Sequence, residues 1–358
     1  AVKEHLLEAQ PREKEYLELA WRAAAGFPEG AREHYLAAAL GGTWHFADAV
    51  EKAISSNLVQ EPGLRRMLQD LVVRGRTMRE TAKTQATANI ARKVLKDRDA
   101  RVLICVRNAA TATGVAASLA QAGYLEQGEV LKEGQDALNR LAIQRFVLGE
   151  RRILIAPDAA ARGQVVPRVT DLIHFDAPLE PGEHTGRIDH LGAAGSGNCT
   201  IHRLILKGTP EELAVHAAQV RLGFHDLESE QVAGWLGDLG FLEEASAWSR
   251  FLLNRALNDF QGAPQEEALL PLLDRRKKAE SARQERRRGT DRVLGNLGAD
   301  AVPARPALDR EPSRYTVAQL VAASLELRQS GWHVTDDKRI LLEEGGRHFE
   351  LRTPEAAG

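Results

Sequence analysis

The sequence predicts an α/β protein in which a parallel sheet has helices on both faces. An N-terminal helical arm and a C-terminal helical region with a small α+β tail are expected to flank it. Between residues 101 and 207, short apolar runs of strand length alternate with segments of helical periodicity, as in parallel sheets that are buried on both faces. Elsewhere helical periodicity dominates. We therefore expect four parts, at residues 1–98, 99–222, 223–299 and 300–358.

The N-terminal arm is predicted to be helical. The segment HLLEAQPREKEYLELAWRAAAG places Tyr16, Leu17 and Trp21 at helical spacing, and Pro28 interrupts the pattern before it resumes. Thr43 is the expected N-cap of a later helix. The pattern favours an arm over a compact domain.

Five segments of the central region are predicted strands: RVLICV, EVLKEG, RRILIAP, DLIHFDAP and CTIHRLILK. A helix over residues 136–149 is expected to turn Leu138, Leu141, Ala142 and Phe146 to one face. In open parallel sheets, ligands bind beyond the carboxyl ends of the strands. The residues directly after each strand are therefore candidates for a functional site.

The C-terminal region is predicted to be helical to about residue 297. It carries nine basic residues between Arg275 and Arg292, without interleaved aromatic residues. This run could follow a nucleic-acid backbone electrostatically, or it could be a solvated helix face that nearby acidic residues balance. In the tail, Gly345-Gly346 between two strand-like runs predicts a hairpin.

Composition excludes some classes of protein. Of 358 residues, 43% are apolar and 27% are charged, as in soluble globular proteins. No apolar run is long enough to span a bilayer, and the charged, amphipathic start does not predict a signal peptide. Cys105 and Cys199 lie in apolar strand-like runs, which indicates core thiols of a reducing, cytoplasmic compartment and no metal site. Since the net charge is −2, binding of nucleic acid would need local basic patches.

Several blocks follow one another in a recognisable order: RVLICVRNAATATGVAASL, VLKEGQDALNRLAIQRFVLGERRILIAPDAAARG, LIHFDAPLEP, GRIDHLG and HRLILKGTPEEL. Together they resemble the second, C-terminal RecA-like lobe of superfamily 2 helicases, and more narrowly the Swi/Snf-type, RapA-like bacterial branch. The resemblance implies a RecA-like sheet, ATP as cofactor and translocation on double-stranded DNA. In that picture Asn108, Lys132 and Gly134 face the nucleic-acid backbone.

The block APDAAARGQVVP resembles helicase motif V. It follows a buried strand and turns into a short helix, whose backbone N–H groups are suited to an anion. Asp158, Arg162 and Gly163 are therefore candidate cofactor-binding residues. Arg162 could reach a phosphate, and Gly163 would let a backbone approach closely.

The block GRIDHLG resembles motif VI, where two arginines three residues apart contact ATP phosphates. Arg187 occupies the first position and is a candidate for both catalysis and cofactor binding. A guanidinium suits this role because it stays charged and forks onto oxygens. His190 occupies the second position, where a mostly neutral imidazole offers a single contact.

Other positions also depart from the helicase pattern. Pro157 stands where relatives often have a hydroxyl residue, Gln164 and Val165 where many have an acidic one, and Ala193 where a glutamine is typical. The sequence also contains neither GxxxxGK[ST] nor a DExx block after an apolar strand.

Two hypotheses follow. In the first, the chain is the C-terminal half of an ATP-dependent double-stranded DNA translocase or helicase, shares ATP with a missing first lobe that holds Mg²⁺, and is inactive alone. That lobe would be supplied by a longer chain or a separate subunit, and RNA polymerase or another protein is a possible partner. In the second, the lobe is catalytically decayed and serves as a scaffold that binds nucleic acid or protein.

Overall fold

The computed structural model describes most of the chain up to residue 296 and part of the tail. The described residues are 2–179, 183, 186–188, 190–191, 199–216, 218, 220, 222, 235, 239, 241, 247–262, 267–296, 331–334, 340–344 and 347–351. The chain divides into two compact units, one from Ala1 to Arg283 and one from Gln284 to Gly358.

A six-stranded sheet forms the centre of the first unit. Its strands are β1 (Val2–Glu8), β2 (Val102–Val106), β3 (Gly128–Val130), β4 (Ile153–Pro157), β5 (Asp171–His174) and β6 (Thr200–Lys207). Their order is β1-β6-β5-β2-β4-β3, and all described pairings in this sheet are parallel. This arrangement confirms the predicted fold class, a RecA-like α/β sheet.

Ten α-helices are described in the chain. They are α1 (Pro11–Ala25), α2 (Glu29–Leu40), α3 (Thr43–Ser55), α4 (Pro62–Thr77), α5 (Ala82–Val94), α6 (Ala109–Leu119), α7 (Asp136–Leu148), α8 (Asp158–Ala161), α9 (Ala247–Phe260) and α10 (Leu270–Asn296). Two short π-helical turns are Ala120–Tyr124 and Glu211–His216. None of the helices that the structure describes combines the length and apolarity needed to cross a membrane.

Helices cover both faces of the sheet, as the sequence predicts. Along β2, Val102, Ile104 and Val106 pack in one cluster with residues of α5 and α6. The alternate residues Leu103 and Cys105 pack in a second cluster with residues of α7 and α8. Because successive side chains of a strand point to opposite faces, the continuous apolar run VLICV serves both clusters.

Strand β1 corrects the prediction that residues 1–98 are helical throughout. All seven of its residues pair in parallel with β6, from Val2 against Ile201 to Glu8 against Lys207. Backbone hydrogen bonds hold this largely polar segment at the sheet edge. The segment therefore needs no apolar pattern, and its sequence does not reveal the strand. A chain of hydrogen bonds adds to it: the ring nitrogens of His5 and His202 lie 3.0 Å apart, and His202 lies 2.9 Å from Asp171.

The helical part of residues 11–77 is also more compact than an arm. Buried side chains of α1 to α4, including Tyr16, Leu36, Phe46 and Leu68, form one core cluster with residues of α9 and α10. The sequence suggests isolated amphipathic helices because the helices that complete this core lie some 200 residues later in the chain.

One local prediction is wrong, and a second does not extend to burial. Thr43 is the first residue of α3 and not its cap; Gly42 is at the N-cap position with a φ of +92°. On α7, Leu138 is 60% exposed and Leu141 41% exposed, whereas Ala142 and Phe146 are buried. Helical spacing identifies possible faces, but the neighbouring layer decides which of them is covered.

The second unit contains a three-stranded antiparallel sheet. Its strands are β7 (Gly331–Val334), β8 (Ile340–Glu344) and β9 (Arg347–Leu351). Glu344 pairs with Arg347, which confirms the hairpin predicted at residues 345–346. The tail segment TVAQLVAASLELRQSG, whose periodicity predicts a helix, lies outside the described residues except for Gly331.

Both cysteines are buried and neither forms a disulfide. Burial raises the pKa of the Cys105 thiol to about 12 and that of Cys199 to about 11. Since the thiolate is the reactive form, these side chains behave as core groups at neutral pH.

A buried ion pair joins the helical part to the sheet. The Nζ atom of Lys83, on α5, lies 2.5 Å from Oε1 of Glu211 and donates to the carbonyl of Phe175 at 2.9 Å. Glu211 also accepts from the backbone N–H of Leu206 at 2.9 Å. Both charged side chains are nearly inaccessible, at 7% and 4%. Each charge therefore depends on the other for its solvation.

We expect Lys83→Met to lower the free energy of unfolding by about 3 kcal/mol or more, because it leaves the Glu211 carboxylate buried without its counter-charge. The double variant Lys83→Met/Glu211→Gln should recover part of this loss, since the amide still accepts from Leu206. Urea unfolding followed by circular dichroism measures both variants.

The exposed pair Lys207–Glu8, at 2.8 Å, is the matched control. Lys207→Met should leave the urea midpoint unchanged because exposed ion pairs contribute little. Equal losses for Lys83→Met and Lys207→Met would show that the buried pair has no special role.

Candidate functional site

A cavity of about 460 Å³ lies at the carboxyl end of β4. Its lining includes every residue predicted to bind cofactor or to act in catalysis. The lining residues are Asp158, Arg162, Gly163, Gln164, Val165, Glu183, Gly186, Arg187 and His190. The structure thus brings the motif V and motif VI segments together where ligands of open parallel sheets bind.

Arg187 is held by Asp158 through a two-pronged ion pair. Its Nε donates to Oδ1 of Asp158 at 2.8 Å, and one terminal nitrogen donates to Oδ2 at 2.8 Å. The other terminal nitrogen donates to the carbonyl of Asp176 at 2.7 Å and lies 3.4 Å from Nδ1 of His174. These partners belong to the ends of β4 and β5, so the guanidinium lies at the strand ends.

The Arg187 side chain is nevertheless 1% exposed, whereas that of Asp158 is 21% exposed. Burial on its own would lower the pKa of Arg187, but the hydrogen bonds and charge of Asp158 outweigh it and raise that pKa above the usual value. The guanidinium therefore stays charged, and in this conformation its donors are committed to protein acceptors.

His190 connects the two motifs through the backbone. Its Nδ1 lies 2.9 Å from the carbonyl oxygen of Gln164, and its own carbonyl accepts from the N–H of Val166 at 2.6 Å. The residue is 7% exposed. One ring nitrogen of His190 thus contacts the loop after α8. An arginine at this position is longer and would not place a nitrogen at the same point.

Arg162 and Gly163 also line the cavity. Arg162 follows α8 and is exposed, so its guanidinium is accessible from solvent. Gly163 has a φ of +72°, and a Cβ placed there would meet no atom within 4 Å. Left-handed backbone, and not close approach, is the reason that the chain needs glycine at this turn.

The three predicted nucleic-acid residues lie beside a different, larger cavity. Asn108 follows β2, caps α6 by accepting from Thr111 N–H at 2.8 Å, and lines a groove of about 880 Å³. Lys132 and Gly134 are exposed on either side of Glu133, which lines the same groove. The nucleotide and nucleic-acid predictions therefore fall on separate surfaces.

Sequence reasoning missed one charged residue of the smaller cavity. Glu183 accepts from the N–H of Leu179 at 2.8 Å and lies 3.7 Å from the Arg107 guanidinium. The segment PLEPGEHT around it contains no periodic pattern that would predict its position. A carboxylate here reduces the attraction of the cavity for anions.

The positions that depart from the helicase pattern have different surroundings. Pro157 ends β4 with the register partner Val106, and Val165 is 57% exposed. Ala193 lies outside the described residues. Proline therefore replaces the expected hydroxyl residue at the end of a strand, and an exposed valine stands near the position of the expected acidic residue.

The first residues of the basic run on α10 have partners within the fold. The Arg276 guanidinium lies 5.2 Å from the centre of the Trp235 ring, and Arg275 donates to the carbonyl of Leu239 at 3.3 Å. These contacts favour a structural role for this end of the run.

No family model matches the chain. Short stretches are similar to curated RNA helicases. The ATP-dependent RNA helicase RhlB of Aliivibrio salmonicida (strain LFI1238) is 46% identical over 57 residues, which are 16% of this chain and 13% of that protein. The DEAD-box ATP-dependent RNA helicase CshA of Bacillus licheniformis is 34% identical over 73 residues, which are 20% of this chain and 15% of that protein. The chain thus spans only a small part of the relatives it matches.

Solved structures give fold likenesses at low identity. The Sulfolobus solfataricus SWI2/SNF2 ATPase core domain is 12% identical, with 74% of this chain and 48% of that chain covered and a TM-score of 0.48. The C-terminal part of the Fun30 ATPase domain is 16% identical, with 59% and 86% covered and a TM-score of 0.40. These likenesses are too low to carry an argument, so the fold assignment rests on the sheet itself. The sequence matches relate only short stretches of this chain to ATP-dependent RNA helicases.

Proposed function

We propose that this chain is the C-terminal half of an ATP-dependent nucleic-acid translocase, of the Swi/Snf or RapA-like type, that works on double-stranded DNA. The observation that carries the proposal is the single cavity that gathers Asp158, Arg162, Arg187 and His190 at the end of β4. A first lobe with a phosphate loop and a Mg²⁺ site would complete it.

The cavity fits one side of a nucleotide. Its volume is within the range of small-molecule sites, and two arginines and a histidine line it. ATP would supply a phosphoanhydride whose cleavage develops negative charge on phosphate oxygens. Arg162 is accessible for binding such oxygens. Arg187 would stabilise their charge through its planar fork.

For Arg187 to act in this way, it has to exchange Asp158 for phosphate oxygens. Asp158 is the more exposed partner of the pair, so its carboxylate would keep access to water after the exchange. Docking of a first lobe is the event that would supply the competing anion. The isolated chain is therefore expected to be inactive.

We expect no DNA-stimulated ATP hydrolysis by the chain alone, and hydrolysis when a first lobe is supplied. In that reconstituted system Arg187→Lys should reduce kcat by on the order of 10²-fold or more, because lysine keeps the charge but loses the fork. A coupled ATPase assay with duplex DNA, and in parallel with RNA, measures it. Turnover by the chain alone that persists in Arg187→Lys would contradict the proposal.

Asp158→Asn provides the structural control for this variant. It leaves the buried Arg187 without its counter-charge, so it should lower the free energy of unfolding by about 3 kcal/mol. Arg187→Lys should cost less stability than Asp158→Asn while losing more turnover.

We expect His190→Arg to raise the turnover of the reconstituted enzyme about tenfold or more, because it restores a second forked cation at the motif VI spacing. His190→Gln, which keeps a side chain able to contact the Gln164 carbonyl, is the matched control and should not raise turnover. Unchanged rates in both variants would mean that position 190 does not limit the chemistry.

A scaffold that binds nucleic acid or protein without turnover is the second candidate. The buried, fully engaged state of Arg187 favours it, as do Pro157 and Val165 in motif V. Reconstitution separates the two candidates, since a scaffold would remain without turnover when the first lobe is present.

A further inference from the structure

We propose that the 880 Å³ groove between α3, the end of α4 and α6 binds the phosphodiester backbone of a nucleic-acid strand. The inference rests on the proposed function and deepens it, because it assigns the backbone contact to cations of α3 and of the segment at the end of α4, outside the blocks that resemble motifs V and VI. Four cations line the groove, Lys52, Arg76, Arg79 and Arg107, together with the two acids Asp48 and Glu133.

Three of the four cations, those of α3 and the end of α4, are exposed to a ligand, whereas Arg107 is 12% exposed and lies 3.7 Å from Glu183. The side chain of Lys52 is 76% exposed and that of Arg76 is 54% exposed; each is paired with one acid, Asp48 and Glu51 respectively. Arg79 is exposed and has no ion pair within the part of the chain that the structure describes. Exposed ion pairs contribute little stability, so phosphate groups can replace the carboxylates at small cost.

The opposite wall is the face of α6, which bears only small side chains. Its lining residues are Ala109, Ala110, Thr113, Gly114 and Ala117, and Ala120 and Gln121 continue it. The α-helical part of this wall extends for about 12 Å. A smooth wall opposite a row of cations accommodates a linear polyanion better than a compact anion, which would need converging donors.

The two walls are held together by a close contact. A Cβ atom at Gly114 would lie 2.3 Å from the ring of Trp44 on α3, so only glycine lets the helices approach this closely. Arg107 is at the inner end of the groove, where its guanidinium donates to the carbonyls of Ala37 and Ala177. The groove is therefore a fixed feature of the fold.

The groove is continuous with the ends of the strands. Asn108 follows β2, and Pro157 and Ala159 flank Asp158 of the smaller cavity; all three line the groove. A nucleic-acid strand in the groove would thus pass next to the candidate nucleotide site. This continuity favours nucleic acid over an acidic peptide as the occupant.

The test is fluorescence anisotropy of labelled oligonucleotides of about 20 residues: oligo(dT), oligo(U) and a DNA duplex. The triple variant Lys52→Gln/Arg76→Gln/Arg79→Gln of the full chain should bind about tenfold more weakly at low salt. The slope of log K against log salt should fall by about 2 for the single strands. Comparison of the three probes distinguishes DNA, RNA and duplex as the source of the backbone.

The matched control is Arg12→Gln/Arg66→Gln/Lys96→Gln, which removes the same number of exposed positive charges away from the groove. It should retain at least half of the wild-type affinity. Arg79→Gln alone breaks no ion pair and should weaken binding about twofold to threefold without shifting the urea midpoint. Asp48→Asn, which removes an acid from the groove, should tighten binding.

Equal losses in the two triple variants would overturn the proposal, because net charge alone would then explain binding. Absence of binding to all three probes would also overturn it, and so would a poly-glutamate peptide that competes as well as oligo(dT). The reconstituted ATPase assay judges the proposed function separately. If the triple variant keeps both its ATPase activity and its affinity for nucleic acid, the groove proposal is wrong and the proposed function is unaffected.

Discussion

The buried ion pair between Lys83 and Glu211 holds α5 against the sheet. It connects α5 to the ends of β5 and β6 through two charges and two backbone groups. Charges in this position have no alternative solvation, so the geometry between α5 and the sheet is fixed. The groove beside α6 has a separate origin, the contact of Trp44 on α3 with Gly114 on α6.

A second ion pair neutralises a buried charge at the smaller cavity. Asp158 neutralises Arg187 and orients its fork, and this leaves the cation that would act on phosphate inside the protein. The site is therefore stable without a ligand, but its chemistry needs an anion that competes with a carboxylate.

Prediction from sequence succeeds here where local pattern and buried environment agree. The apolar run VLICV and the segments before Pro157 and Lys207 need burial on both faces, and the sheet provides it. Prediction fails where a distant segment decides. The strand Val2–Glu8 is polar and is recruited by the backbone of β6, about 200 residues later. Leu138 has helical spacing, yet no layer covers it.

The candidate site follows the same division. Motif spacing singles out Arg187 and His190, but only the fold reveals that the Asp158 carboxylate is paired with the Arg187 guanidinium. The groove cations could not be assigned from sequence because Lys52, Arg79 and Arg107 belong to three separate elements. Their shared surface depends on the contact of Trp44 with Gly114, which no local pattern encodes.

The junction of β4 and α8, at residues 157–159, separates the two cavities. Pro157 and Ala159 line the groove, and Asp158 between them lines the smaller cavity. Pro157 fixes φ and has no N–H, so this junction has little freedom to rearrange by rotating a single peptide plane.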